Sequence, residues 1–166
     1  MEVKTVDSRT FSLVILYDMQ SQFFHNVIEG ISDNDTHNRL NTKANHIAWL
    51  AGSLVQQRFE MAGMLGDSKL NQGAHELFKD YQGIKDDVKY PSLSSYKSDW
   101  EKITPILRQE MMNISEEKLN MKMEMMPGES YSHFEMCTFM IYREANIIGQ
   151  IALWRRLLGY DAMKYM

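Results

Sequence analysis

Five histidines and one cysteine are the residues of this chain best suited to hold a transition metal. A zinc or nickel site needs about three His, Cys or carboxylate groups that converge on one point. His25, His37 and His75 fall at a helix end or in connecting segments, where we expect surface exposure. His46 and His133 fall on inward helix faces, but the rise of about 1.5 Å per residue places them far apart on neighbouring helices. The histidines alone predict no metal site.

Polar side chains also lie beside the predicted core, on two of the helices. One face of the segment 44–65 is apolar, and the face next to it is half polar. The half-polar face consists of His46, Trp49, Ser53, Gln57, Glu60 and Met64. In the last helix the inward heptad positions are His133, Met136, Met140, Arg143, Ile147, Gln150, Trp154 and Leu157. Because three of these eight residues are polar, we look for the functional site between these two helices.

The sequence lacks the motifs of several common catalytic chemistries. No Ser-His-Asp arrangement, glycine-rich phosphate loop or HExxH pattern is present. The pair Glu116-Glu117 is typical of a solvated helix end, and Cys137 between apolar neighbours is typical of a small buried side chain. A single cysteine also excludes an intramolecular disulfide and favours a reducing compartment. Residue types alone therefore name no reaction.

Charge and composition restrict the classes of partner. The net charge is −4, and the short pair Arg155-Arg156 is too small a basic cluster to predict nucleic-acid binding. The first ten residues, MEVKTVDSRT, have no apolar signal core, and no run approaches about 18 apolar residues. We therefore expect a cytoplasmic protein without a membrane partner. Fourteen methionines, with only nine glycines and three prolines, favour an all-α fold.

Four long segments have the apolar periodicity of amphipathic helices. The first helix is predicted to begin after Asp7 or Ser8 and to end at Gly30. The other three are predicted to cover the segments 44–65, 92–114 and 131–158. Pro105 lies inside the third helix and should bend it.

The connections between these helices complete the predicted topology. The segment 31–43 is polar and turn-rich, and 66–91 is a long crossover with one short helix near AHELFKDY. We interpret 115–130, which contains the run MKMEMM, as a packed loop or a subunit contact. A long crossover allows the second and third long helices to run parallel. The pattern predicts one domain over 1–166, a four-helix bundle with a long crossover.

The chain resembles the DinB-like or YfiT-like superfamily of metal-dependent four-helix-bundle proteins over nearly its whole length. The likeness rests on NHIAWLAGSL in the second helix, WEKITPILRQEMMNISEEKLN around the third and REANIIGQIALWRRLLGY in the last. The last segment is similar to the family's HxxxHxGQI helix with its LRRLLG-type ending. The resemblance implies a four-helix bundle that assembles as a homodimer.

In metal-binding members of that superfamily, one histidine of the second helix and two of the last helix hold the metal. The family pattern W-x-x-x-H begins here at Trp49 and ends at Ser53. Counting back from Gln150 in the Gly-Gln-Ile ending, the other two ligand positions are Arg143 and Ile147. The resemblance therefore implies a degenerate metal site, and we predict no cofactor.

Two arrangements of Arg143 remain open from the sequence. In the first, a buried polar network replaces the metal, because a buried arginine needs partners. Its members would be Ser53, Gln57, Glu60, Arg143 and Gln150. In the second, Arg143 reaches the surface, and Ile147 and Trp154 fill the former site. Trp49 supports the same pocket.

Two functions compete on these grounds. The first is a metal-free member that binds a small molecule or anion in the bundle cleft, with Arg143 contacting a carboxylate or phosphate, or that acts only as a structural dimer. The second is a metal-dependent hydrolase or a thiol S-transferase of the DinB/YfiT type. It would hold zinc or nickel with non-standard ligands such as His46, His133 or Glu60. The expected partners are a second copy of the chain and a small anionic ligand.

Overall fold

Helices make up most of the chain in the computed structural model, which describes residues 3–66 and 68–165. The helices are α1 Arg9–Ile28, α2 Ile47–Gly66, α3 His75–Phe78, α4 Leu93–Asn113, α5 Glu116–Asn120 and α6 His133–Leu157. A 3₁₀ turn, Lys79–Tyr81, follows α3, and the antiparallel strands β1 Lys122–Met126 and β2 Glu129–Ser132 precede α6. The predicted helical class is confirmed at this level.

The ends of the long helices follow from specific hydrogen bonds. Ser132 caps α6, because its Oγ accepts from the backbone N–H of Glu135 while the Glu135 carboxylate accepts from the N–H of Ser132. The helix therefore begins two residues later than predicted. The start of α2 is three residues later than predicted, because Nδ1 of His46 accepts from the backbone N–H of Trp49 and so caps it.

Hydrogen bonds at two levels give the direction of each long helix against its neighbours. Those that join α1 to α4 and to α6 are Tyr17–Thr104, Trp100–Ser21, Gln20–Ile141 and Arg155–Val27. Higher numbers in α1 meet lower numbers in α4, so these two helices are antiparallel. Higher numbers in α1 meet higher numbers in α6, so that pair is parallel.

The helix α2, like α1, packs against both α4 and α6. Its hydrogen bonds to α6 join Asn45 to Trp154 near one end and Gln57 to Met140 further along, which makes the pair antiparallel. Since α4 is also antiparallel to α6, α2 and α4 run parallel. The long crossover between them, which carries α3 and the 3₁₀ turn, makes this direction possible.

The buried face of α6 is displaced from the predicted heptad face. Gln150 and Leu157 were predicted to point inward, but both are exposed. Glu144 and Ile148 are buried in their place. The sequence did not indicate this, because a glutamate is rarely buried without an ion-pair partner, and that partner, Arg58, lies on another helix.

The segment 115–130 is more ordered than predicted. It contains α5 and most of a two-stranded hairpin, and all but the first residue of its MKMEMM run forms β1, so the interpretation as a loop is wrong. Met123 and Met125 are partly buried, whereas Lys122, Glu124 and Met126 are exposed. This alternation turns one face of β1 toward the helices. Among the described residues, no helix combines the length and the apolar character needed to cross a bilayer.

Candidate functional site

Arg143 is held between two neutral acceptors on α2. Its Nη1 donates to Oε1 of Gln57 and its Nη2 donates to Oγ of Ser53, both at 2.7 Å. Ser53 and Gln57 are one helical turn apart, so they present their acceptors on one face of α2. Gln57 is itself fixed, because its Nε2 donates to the backbone oxygen of Met140 at 3.2 Å. The guanidinium is therefore oriented by two helices.

Glu60 lies near this cluster without bonding to Arg143. Its Oε1 accepts from Nε2 of Gln56 at 2.8 Å, and its side chain lines the same cavity as Arg143. Gln150 lies outside the cluster. It is exposed, and its Nε2 donates to Oδ1 of Asn146 one turn earlier on α6.

Ile147 and Trp154 do not line the cavity that contains Arg143. Ile147 is buried in the core between the helices. Trp154 lies near the beginning of α2, where its Nε1 donates to the backbone oxygen of Asn45 at 2.9 Å. The structure thus follows neither sequence alternative fully. Arg143 is oriented by Ser53 and Gln57, but Glu60 and Gln150 are not bonded to it.

A cavity of about 410 Å³ opens between α2, α6, β1 and the 3₁₀ turn. One end is formed by the rings of Trp49 and Phe78, whose centroids are 6.4 Å apart. Much of the remaining wall is thioether, supplied by Met61, Met64, Met123, Met125, Met136 and Met140. Of the described residues, Arg143 and Glu60 are the charged ones in this wall. The cavity is thus mainly apolar, with one fixed cation and one carboxylate.

The charge of Arg143 is partly buried, and this affects its pKa. Burial lowers the pKa of Arg143, and the nearby carboxylates of Glu60 and Glu144 only partly oppose this. Over residues 3–66 and 68–165, no carboxylate oxygen lies within the 4.0 Å of an ion pair with it. A guanidinium has five N–H donors, and the two hydrogen bonds leave three without a protein acceptor in the described chain.

The positions that the resemblance aligns with metal ligands, Ser53, Arg143 and Ile147, do not fit a divalent metal. Oγ of Ser53 accepts from a permanent cation, and Ile147 has no donor atom. No group of three His, Cys, Asp or Glu side chains that could hold a metal occurs within the described ranges. His46 lies at the beginning of α2 and His133 at the beginning of α6, which are opposite ends of this antiparallel pair.

Cys137 also contributes no reactive group. It is fully buried on α6, and burial raises the pKa of its thiol to about 12. The thiolate is the nucleophilic and metal-binding form, so this cysteine is a core residue, as its apolar neighbours predicted.

The largest feature missed from the sequence is a buried ion pair next to the cavity. Arg58 donates from Nε and Nη2 to the two carboxylate oxygens of Glu144, each at 2.7 Å, and both side chains are 0% exposed. Nη1 also donates to Oγ of Ser21 and Oγ1 of Thr104. Four of the five N–H donors thus find acceptors, and this residue joins all four long helices.

Aromatic rings complete the surroundings of Arg58. The guanidinium carbon lies 3.9 Å from the centroid of the Tyr17 ring and 3.3 Å from that of Trp100. Arg58 and Glu144 directly adjoin Gln57 and Arg143 in the sequence. The ion pair therefore fixes the backbone on both sides of the site. An arginine inside the apolar pattern of α2 was the sequence signal for it.

A second hydrogen-bond network that the sequence did not predict connects Glu60 to the crossover through Gln56 and Gln72. Nε2 of the buried Gln72 donates to the backbone oxygen of Gly52 at 3.1 Å and to Oε1 of Gln56 at 2.9 Å. Gln56 in turn lies within hydrogen-bond distance of both Glu60 and His75. These amides tie the crossover to α2, and they hold the carboxylate of Glu60 at the cavity wall.

Comparison with known proteins gives no relative: no family model, no curated protein and no solved structure matches the chain. Membership of the DinB-like superfamily therefore stays a prediction.

Proposed function

We propose that this chain is a metal-free, DinB-like four-helix-bundle protein that binds a small anionic molecule in the cavity between α2 and α6. Arg143 is the group that binds the anion. The observation that carries the proposal is its oriented guanidinium, which lines the cavity and keeps three N–H donors free of protein acceptors in the described chain.

The two arginines of α2 and α6 support this assignment by their contrast. Arg58 is a structural arginine, because a buried carboxylate neutralises it and four of its donors are used. Arg143 has two neutral partners and no direct counter-charge among the described residues. A ligand carboxylate or phosphate would supply that charge through the bidentate geometry that a guanidinium offers.

The dimensions and lining of the cavity also suit a small molecule. Binding sites for small molecules commonly have volumes of about 300–1,000 Å³, mostly apolar walls and a few polar groups that fix orientation. The cavity falls in this range at about 410 Å³. The alternative metal-dependent hydrolase or S-transferase needs converging metal ligands, which the described residues do not form.

The second element of the proposal is a homodimer formed through the outer faces of α1 and α6. The exposed large apolar side chains there are Phe11, Ile15, Leu16, Met19, Tyr142, Leu153 and Leu157, each between 39% and 65% exposed. Phe139, also exposed, lines the cavity as well. Every exposed residue of α6 from Thr138 to Leu153 is uncharged. Apolar side chains and depletion of charge are typical of interface centres.

The anion site is tested by comparing ligand binding to the native protein and to Arg143→Gln. Glutamine keeps much of the side chain and some hydrogen bonding but removes the positive charge. The measurement is isothermal titration calorimetry with a panel of carboxylates and inorganic phosphate. We expect the affinity for at least one anion to be lower for the variant by a factor of about ten or more.

Arg156→Gln is the matched control, because Arg156 is an exposed arginine near the end of the same helix and does not line the cavity. It should leave every affinity unchanged. Equal affinities of Arg143→Gln and the native protein for the whole panel would contradict the proposal.

A further inference from the structure

We infer that the ligand is a carboxylic acid with one carboxylate at the end of a flexible aliphatic chain of roughly eight carbons. This inference rests on the proposed function and adds the chemical class of the molecule. It follows from the charge of the cavity, from the arrangement of its methionines and from the distance over which they extend.

The charges of the cavity wall favour a monoanion. Among the described residues of the wall, Arg143 and Glu60 are charged, and their formal charges sum to zero. A phosphate monoester carries nearly two negative charges and normally recruits more than one cation, whereas a carboxylate carries one. The carboxylate of Glu60 would repel the second charge of a phosphate. The two oxygens of a carboxylate also match two N–H donors of one guanidinium.

The six methionines of the wall come as three pairs, each on one face of its element. Met61 and Met64 are three residues apart on α2, and Met136 and Met140 are four apart on α6, which are spacings that share a helix face. Met123 and Met125 are two apart on β1, which is the spacing that shares a strand face. The elements α2, α6 and β1 therefore each present thioether side chains to the cavity.

Methionine walls suit a flexible apolar ligand. The side chain is unbranched and polarisable, so it adjusts to the shape of its neighbour. Such a surface places few geometric demands on the apolar body of a ligand, but it offers that body no hydrogen bonds. The specificity for a polar group is then confined to Arg143 and its neighbours.

The methionine-lined region extends from Arg143 in one direction. Met61 and Met64 follow Gln57 by four and seven residues on α2, which is about 6 to 10 Å at 1.5 Å per residue. Met136 precedes Arg143 by seven residues on the antiparallel α6, so it lies about 10 Å away in the same direction. An extended chain of roughly eight carbons spans this length.

The test is calorimetric titration with straight-chain carboxylates of increasing length, from butyrate to decanoate. We expect the affinity to rise about fourfold with each methylene until the cavity is filled, since each buried methylene contributes about 0.8 kcal/mol. Octanoate and decanoate should bind more tightly than benzoate, inorganic phosphate or the uncharged decanol. Arg143→Gln should weaken decanoate binding about tenfold.

The hairpin offers a matched pair of variants. Met123→Ser combined with Met125→Ser removes the apolar groups of the inner face of β1 and should weaken decanoate binding about tenfold, but not butyrate binding. Met121→Ser combined with Met126→Ser changes the exposed methionines of the same segment and should leave both affinities unchanged.

The outcomes separate this inference from the proposed function. If inorganic phosphate or short carboxylates bind through Arg143 without a gain from chain length, the anion site stands and the aliphatic ligand is refuted. If no anion depends on Arg143, both are refuted. If decanoate binds equally to the native protein and to the inner hairpin variant, the methionine-lined cavity is not its site and the inference is refuted.

Discussion

Arg58 on α2 and Arg143 on the neighbouring helix α6 differ in the charge of the groups that they contact. Arg58 and Glu144 satisfy each other in the core, with further hydrogen bonds to Ser21 and Thr104. Within the described part of the chain, Arg143 has only neutral hydrogen-bond partners, and it faces a cavity. Burying a charge is costly unless it is paired, and this is why we place the proposed anion site at Arg143.

The buried pair gives a prediction at this scale. Glu144→Gln should lower the free energy of unfolding by about 3–5 kcal/mol, because it leaves the Arg58 charge buried without its counter-charge. The double variant Arg58→Met/Glu144→Leu should be less destabilised than Glu144→Gln, because no buried charge remains. Urea denaturation measures both.

The control is Asp18→Asn, which breaks the partly exposed pair of Asp18 with Arg108 and should cost less than about 1 kcal/mol. A Glu144→Gln variant as stable as this control would show that the buried pair contributes little.

The sequence predicted some of these residues and not others for a physical reason. Trp49, Ser53, Gln57, Glu60 and Arg143 were all placed at the pocket, and all five line the cavity. They follow from helix periodicity on two adjacent helices. The arginine inside the apolar pattern of α2 was a signal for the ion pair, but its partner Glu144 could not be chosen, because the predicted heptad face of α6 left that residue outside the core.

At the scale of elements, the long helices were predictable and the hairpin was missed. The helix segments were placed to within about three residues, because apolar periodicity over twenty residues is a strong signal. The run MKMEMM also has a period-two alternation of methionine with charge, which is typical of a strand. Its residues favour helices or loops by intrinsic propensity, and that obscured the alternation. Because β1 was not predicted, the sequence did not place Met123 and Met125 at the cavity.

The beginning of α2 gives the prediction at this scale. Nδ1 of the buried His46 must be unprotonated to accept the N–H of Trp49, and burial lowers the pKa of His46 to about 4, with the nearby His37 acting in the same direction. In the unfolded chain the value is about 6.5. Between pH 4 and 6.5 the unfolded state binds the extra proton, so stability should fall as the pH falls through this window, by up to about 3 kcal/mol.

His46→Asn separates the cap from the titration. Asparagine is a good N-cap and does not titrate, so the variant should retain the helix end while the loss of stability between pH 6.5 and 4 becomes smaller. Urea denaturation at a series of pH values measures this. If the variant shows the native pH dependence, another group is responsible.

At the scale of the whole molecule, the exposed apolar side chains of α1 and the uncharged exposed residues of α6 from Thr138 to Leu153 predict a dimer. Two adjacent helices of about 30 Å present roughly 600 Å² per copy, which is near the lower end of stable interfaces. Sedimentation velocity of the native protein should show a dimer. Tyr142→Glu combined with Leu153→Glu should give monomers, because both residues are exposed on α6 and charge there would be buried on association.

Serine at the same two positions is the gentler control and should weaken the dimer less than glutamate. A native protein that sediments as a monomer at concentrations of tens of micromolar would contradict the proposed assembly.

The central claim is that Arg143 binds an anion, and the NMR signal of its Nε–H group tests this most directly. The signal is assigned by its absence from the spectrum of Arg143→Gln. On titration with octanoate it should shift progressively and saturably, while the Nε–H signal of the fully paired Arg58 stays in place. An Arg143 signal that does not move with octanoate, butyrate or phosphate would contradict the account.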